Sequence, residues 1–261
     1  MAVSVPVVPE KYSSTDIITA RAMIEDWANQ DRFDLAAWNA EAAILVYDRP
    51  LHKRLLELHD LRALDFGAPG SYHSIAATED RVVLVGEFGI GAPVAAVIAE
   101  ALIASGVKQI VSLGTAGGIQ TDLHAGQIIS VQGAVRDDGT SHHYLQADVA
   151  VGPDPRLAAH LEASLGDALG KRGVVWTTDA PFRETIAELQ CHREAGVLAV
   201  EMEAAALMAV CELRGAAFAC TVCISDILSE TGWQALFSDA LVRQALESMY
   251  TAAVATLIEF R

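Results

Sequence analysis

The sequence predicts an α/β fold, with a mostly parallel sheet covered by helices on both faces. Three observations predict it. Strand and helix candidates alternate from residue 42 to the end of the chain. Several strand candidates are continuous apolar runs without polar alternation, as expected for strands buried on both faces. The apolar filling is Ala, Val, Leu and Ile: hydrophobic residues are 52% of the chain, aromatics only 6%. Small and β-branched side chains suit helices packed closely on a sheet.

Residues 1–15 are rich in Val, Pro and Ser and read as extended. Residues 16–40 read as helix, because Ile17, Ile18, Ala22, Met23 and Trp27 recur at helical spacing. Ala42–Tyr47 is a short apolar strand. Leu51–Leu61 is a helix with His52, Lys53 and Arg54 on one side, and Leu64–Ser74, with Gly and Pro, is a loop. Arg81–Val85 is a strand, followed by the Ala-rich helix Ala92–Ser105, which Gly106 can terminate. Gln109–Leu113 is the next strand and Gly114–Gly118 a Gly-rich turn. Gln127–Val135 is a strand, and the polar stretch 136–153 a long loop. Helices are expected at Arg156–Leu169, Thr185–Ala195, Glu203–Leu213 and Leu241–Phe260. Strands are expected at Arg172–Thr177, Val197–Val200 and Ala216–Ile224. No stretch has linker composition and no repeat is visible, so a single domain over 41–261 is expected, preceded by a helical extension, 1–40.

The formal net charge of −16 argues against nucleic-acid binding, since an acidic surface repels phosphate backbones. Four cysteines (Cys191, Cys211, Cys220 and Cys223) lie in apolar surroundings and read as buried thiols of a reducing compartment. No signal-peptide pattern and no run of roughly 18 apolar residues is found. The expectation is a cytoplasmic protein without a membrane partner.

Four constellations can carry chemistry. Gly86-Glu87-Phe88-Gly89-Ile90-Gly91 joins a strand to a helix, where glycines admit a ligand and a helix N-terminus favours an anion. Its glycine order is not that of a dinucleotide-binding turn, and a ligand-free tight turn is an equal reading. Gly114-Thr115-Ala116-Gly117-Gly118 follows a strand at the edge where open α/β sheets bind ligands. Glu201-Met202-Glu203 begins a helix. One of its two carboxylates is accounted for by the helix dipole, and the other is suited to sugar hydroxyls. Asp226, after Ser225, stands just past a buried strand and is either a cap or an acid for a leaving group. His142-His143 lacks partners at metal spacing, and no metal site is expected. Cys220 and Cys223 point to opposite faces of one strand, which speaks against a redox pair.

Ile110–Gln120 (IVSLGTAGGIQ), Gly126–Ile129, Val135–Ser141 (VRDDGTS) and Val200–Ala206 (VEMEAAA) together resemble the nucleoside phosphorylase family of purine nucleoside phosphorylases, uridine phosphorylases and methylthioadenosine nucleosidases. The resemblance covers roughly residues 42 to 260. It implies a three-layer α/β/α domain around a distorted mixed sheet, assembled as a dimer or hexamer. It implies that Thr115 sits between phosphate and ribose, with Gly91 also at the phosphate. Ala116, Gly117 and Phe182 would line the base, with Glu201 beside them. Met202 and Glu203 would bind the ribose, and Asp226 would serve a purine leaving group. Glu203 and Asp226 would be the catalytic pair, with inorganic phosphate as co-substrate and no cofactor.

Two departures bear on the nucleophile. Members that use phosphate usually carry Arg three residues before the threonine, where this chain has Ser112. Their Gly-Asp-Pro-x-Arg loop is replaced by Tyr47-Asp48-Arg49-Pro50. Most members of the family use phosphate, so the expected activity is phosphorolysis of a purine or pyrimidine nucleoside to free base and sugar 1-phosphate. The departures make hydrolysis by a nucleosidase the first alternative, and a silent nucleoside-binding protein is a further one. A nicotinamide-dependent oxidoreductase is a distant further reading.

Overall fold

A computed structural model describes residues 7–30, 33–35 and 37–260. Part of the expected extended stretch (1–6), positions 31, 32 and 36 of the expected first helix, and residue 261 lie outside the described residues.

Among the described residues, ten strands form one mixed sheet: β1 (Ala42–Val46), β2 (Leu61–Leu64), β3 (Ser71–Ile75), β4 (Val82–Gly86), β5 (Gln109–Gly118), β6 (Ile128–Asp137), β7 (Leu169–Thr178), β8 (Ala199–Glu201), β9 (Ala217–Ser229) and β10 (Gly232–Ala235). Their order is β10-β9-β6-β7-β8-β5-β1-β4-β3-β2, and β9 also pairs with β5. Five strands, β5, β9, β6, β7 and β8, thus close into a ring, and β1 to β4 continue from it as an open sheet. The expected mostly parallel sheet is corrected by the antiparallel pairs β2–β3, β3–β4, β5–β8, β6–β9 and β9–β10.

Among the described residues, seven α-helices surround it: α1 (Ala20–Asn29), α2 (Arg49–Leu58), α3 (Ala92–Ala104), α4 (Pro155–Leu165), α5 (Ile186–Glu194), α6 (Ala204–Arg214) and α7 (Ala240–Glu259). Residues of α1, α3 and α6 share one apolar core with the sheet. Residues of α2, α4 and α7 share a second on the opposite face. These are the three layers. The central helices α3 and α6 are Ala-rich, with Ala204–Cys211 of α6 and most of the alanines of α3 buried, which lets them lie close to the strands.

Several expected boundaries move. The first helix shortens to α1 because Thr19 caps it, its side chain accepting from the Ala22 amide; Ile17 and Ile18, counted into its apolar face, are exposed. The expected loop Leu64–Ser74 contains most of β3, paired to β4. Cys191 is exposed, while Cys211, Cys220 and Cys223 are buried. The segment after α1 joins the core through an aromatic cluster in which Trp38 stacks on Phe66 at 4.6 Å and Phe33 meets Phe66 edge-on.

Candidate active site

The expected Gly114–Gly118 turn is a strand. β5 runs unbroken to Gly118, paired on one side with β9 through that whole stretch. The register slips between Ala116 and Gly117, a bulge of the kind that re-aims side chains beside functional sites. Past it, Gly117 lies opposite Asp226 of β9 on one side and Val200 of β8 on the other. Sheet register thus gathers Thr115-Ala116-Gly117, Glu201 and Asp226 around one point. A Cβ on Gly117 would lie 2.4 Å from Leu228 Cδ1 and 2.9 Å from Asp226 Oδ2, so only glycine lets the acid lie over this strand.

These residues line a cavity of about 630 Å³, with Met202 and Glu203 on its wall and Phe182 at its mouth. Of the side chains expected at the site, Thr115, Ala116, Gly117, Phe182, Glu201, Met202, Glu203 and Asp226 all border it. Gly91 does not line it, but it is bonded to a residue that does: its N–H donates to Glu203 Oε1.

The two glutamates have different duties. Glu201 ends β8 and is 6% exposed. Its Oε2 accepts from the backbone N–H groups of Glu203 and Ala204, both at 2.7 Å, and its Oε1 accepts from the Thr177 hydroxyl. The Thr177 oxygen in turn accepts from the Ala205 amide at 3.0 Å. Glu201 is therefore the carboxylate that satisfies the N-terminus of α6, the role helix electrostatics reserve for an acid. Glu203, 8% exposed, has one oxygen on Gly91 and borders the cavity. Burial pushes the ionisation of both carboxyls upward, and the neighbouring Glu201 raises Glu203 further. Two acids this close in a dry wall resist being charged together.

Asp226 lies within β9, not beyond it, because that strand extends five residues past Ile224 to Ser229. Its Oδ1 accepts from the Ser225 hydroxyl at 2.8 Å and its Oδ2 from the Trp233 indole N–H at 2.8 Å. On the same side of the cavity stands Glu184, just after the 3₁₀ turn Pro181–Arg183. Burial first, then repulsion from Asp226 and Glu188, moves the Glu184 carboxyl up to about 7.

Sequence reasoning did not find Glu184, Trp233 or Thr177. Glu184 could have been found from its place just after Phe182 and before the capping residue of α5, Thr185, whose capping box is complete. Trp233 stands on a short exposed strand with no sequence pattern to mark it.

Ser112, the position that departs from phosphate-using members, is buried and lies 3.2 Å from the Tyr47 hydroxyl. Tyr47 follows β1, and its ring meets Phe88 edge-on at 5.3 Å. Burial, then Glu203, keeps the Tyr47 phenol protonated far above neutrality. Asp48 caps α2 by accepting from the Leu51 amide at 2.6 Å. Among the described residues lining the cavity there is no lysine or arginine, while Glu184, Glu201, Glu203 and Asp226 all face it.

A cavity open on one side at one rim of a mixed α/β sheet, with Glu201 and Glu203 buried at one end and Asp226 buried at the other, is an enzyme-type site. The comparisons assign its family. The profile of the phosphorylase superfamily matches residues 42–258, and the chain belongs to that superfamily. It is 33% identical over 138 residues to a guanosine phosphorylase of Halorubrum lacusprofundi, covering 51% of this chain and 57% of that protein. It is 34% identical over 139 residues to a uridine phosphorylase of Treponema pallidum, covering 48% of this chain and 54% of that one. A DeoD-type purine nucleoside phosphorylase of Shewanella amazonensis is 31% identical over 150 residues, covering 56% and 63%. The matched part is thus a little over half the length of these relatives. The fold is that of the uridine phosphorylase from Vibrio fischeri ES114 solved with 6-hydroxy-1-naphthoic acid, at a TM-score of 0.71 and 22% identity over 86% of this chain and 92% of that one.

Proposed function

We propose that this protein cleaves the N-glycosidic bond of a purine nucleoside, with phosphate as the attacking group and free base and sugar 1-phosphate as products. The observation that carries the reading is that Glu203, at the start of α6, and Asp226, on β9, border one cavity of about 630 Å³. In the reaction the C1′–N bond breaks and its electron pair goes to the base, leaving positive charge on the sugar ring. Glu203 binds the ribose hydroxyls and favours that charge electrostatically. Asp226 delivers a proton to the departing base, and a phosphate oxygen bonds to C1′. The ribose roles of Glu203 and Met202, and the place of Thr115 between sugar and nucleophile, follow from the resemblance. Glu201 supports them by holding the start of α6.

Two features favour a purine. The resemblance gives Asp226 the role of the acid that serves a purine nitrogen. Glu184 adds an acceptor beside it, suited to the exocyclic N–H donors of a base such as guanine. The guanosine phosphorylase among the relatives is in line with this choice.

A second reading, hydrolysis, is favoured by one observation: the cavity wall among the described residues holds no cation, and Ser112 is bonded to Tyr47 where phosphate-using members have Arg. Water needs no cationic cradle. The test is base release from guanosine, inosine, adenosine and uridine, with and without inorganic phosphate, with the sugar product identified. Phosphate-dependent release of purine with sugar 1-phosphate supports phosphorolysis. Phosphate-indifferent release giving free sugar replaces it with hydrolysis. No release from any nucleoside rejects both.

A further inference from the structure

The base end of the cavity is closed by the hairpin of β9 and β10. Trp233 lies opposite Leu228 in that pairing, and Asp226 is the next residue along on the same face, the diagonal neighbour that a long aromatic side chain can reach. The indole N–H donates to Asp226 Oδ2 at 2.8 Å, yet the Trp233 side chain is 63% exposed and all of β10 is exposed. No core packing accounts for a tryptophan there. Its ring has Phe237 at 6.1 Å, also exposed, and the chain beyond is tied back by the Leu236 amide donating to the Ser225 carbonyl at 2.9 Å. The one buried polar group the indole engages is the carboxyl of Asp226.

We propose that Trp233 is a positioning residue for proton delivery to the leaving base, acting through Asp226; this rests on the N-glycosidic reading above. An indole N–H can only donate, so it holds Oδ2 as an acceptor and turns the carboxyl plane over Gly117. With Oδ2 held in this way, Oδ1 is the oxygen free to carry the proton that is delivered, since the Ser225 hydroxyl beside it can rotate from donor to acceptor. When the C1′–N9 bond breaks, its electron pair passes through N9 into the purine ring, and the proton moves from Asp226 to N7, so that the base leaves neutral. Asp226 becomes a carboxylate, and the indole N–H is then a hydrogen bond to a charged oxygen, stronger than in the ground state. An interaction that strengthens as charge develops raises turnover more than binding.

The experiment compares wild type, Trp233→Phe, Asp226→Asn and the double variant on two substrates. One is guanosine, whose base must be protonated to leave well. The other is 7-methylguanosine, whose base is already cationic and departs neutral without a proton. Trp233→Phe keeps an aromatic ring and removes only the donor. The expected result is a fall in kcat on guanosine of about tenfold with KM within about twofold, the loss of one charge-assisted bond. Two further results are expected: no comparable fall on 7-methylguanosine, and no further loss when Trp233→Phe is added to Asp226→Asn. Equal loss on both substrates, or an undiminished loss in the Asp226→Asn background, overturns the assignment. Base release by the wild type is the separate check on the underlying reading. Its absence overturns that reading, whereas wild-type turnover with an unaffected Trp233→Phe overturns only the role of Trp233.

Discussion

At the end of the cavity formed by Glu201 and Glu203, the carboxylates are bonded to main chain: Glu201 to the amides that begin α6, Glu203 to the amide of Gly91 at the start of α3. At the end formed by Glu184 and Asp226, the bonds are to side chains: Asp226 accepts from its buried neighbour Ser225 and from Trp233 on the exposed strand β10, and Glu184 follows a 3₁₀ turn. The first end is rigid because its polar groups also terminate helices. The second sets the buried Asp226 of β9 beside two exposed segments, β10 and the 3₁₀ turn Pro181–Arg183, the kind from which movable, ligand-contacting parts are drawn. The difference suggests a division of labour within the proposed reaction. The rigid end holds what every nucleoside shares, the sugar. The looser end meets what varies, the base.

The comparison breaks most directly at Glu203. Glu203→Ala is expected to lower kcat/KM by about a thousandfold or more, the size of losing a preorganised electrostatic partner. Glu203→Gln, which keeps an acceptor for Gly91, should lose activity with a melting temperature near that of the wild type. Wild-type rates in Glu203→Gln would remove Glu203 from the sugar site. Next in size is Asp226→Asn, expected to slow purine nucleosides by about a hundredfold, within the range of general-acid contributions. Equal slowing of purine and pyrimidine nucleosides would deny Asp226 its role as the acid.

Glu201→Gln probes the scaffold at the rigid end. A Gln keeps one acceptor and loses the charge facing two amides and a hydroxyl, so denaturant unfolding should register a loss of about 2 kcal/mol. Unchanged stability would show that Glu201 does not hold α6. The smallest effect is expected at Glu184. Its carboxyl is protonated below about 7 and charged above, so KM for a guanine nucleoside should fall by a few-fold as pH rises from 6 to 8, when the charged acceptor becomes available. Glu184→Gln should flatten that dependence; a profile identical to wild type would remove Glu184 from the base contact.

The same division explains what the sequence disclosed. Glu201, Glu203 and the Thr115-Ala116-Gly117 run sit at junctions of apolar strands and Ala-rich helices, where hydrophobic runs stop and polar residues stand out. Asp226 was legible for the same reason, as an acid at the close of an apolar run. The layers were legible because strand runs such as Ala42–Val46 and helical runs such as Ala204–Cys211 are buried throughout. The antiparallel pairings were not, since an apolar run buried on both faces reads alike whichever way its neighbour points. Nor was the closure of five strands into a ring, which depends on one short strand, β8, pairing with both β5 and β7. The glycine-rich stretch after Leu113 was read as a turn, and composition alone favoured that. Packing overrides it, because Gly117 and Gly118 are strand residues crowded by side chains of β9. Trp233 and Glu184 escaped notice because neither stands beside a strand end or a glycine cluster, and their importance is created by what the fold brings to them.

The central claim is that one cavity holds a nucleoside between a sugar-binding carboxylate and a base-facing one. Chromatographic measurement of guanine released from guanosine by wild type and by Glu203→Gln, side by side in phosphate buffer, tests it most directly. The account predicts free guanine from the wild type and a loss of about a thousandfold in the variant, with guanosine still bound. Guanine release at equal rates by both proteins would contradict it.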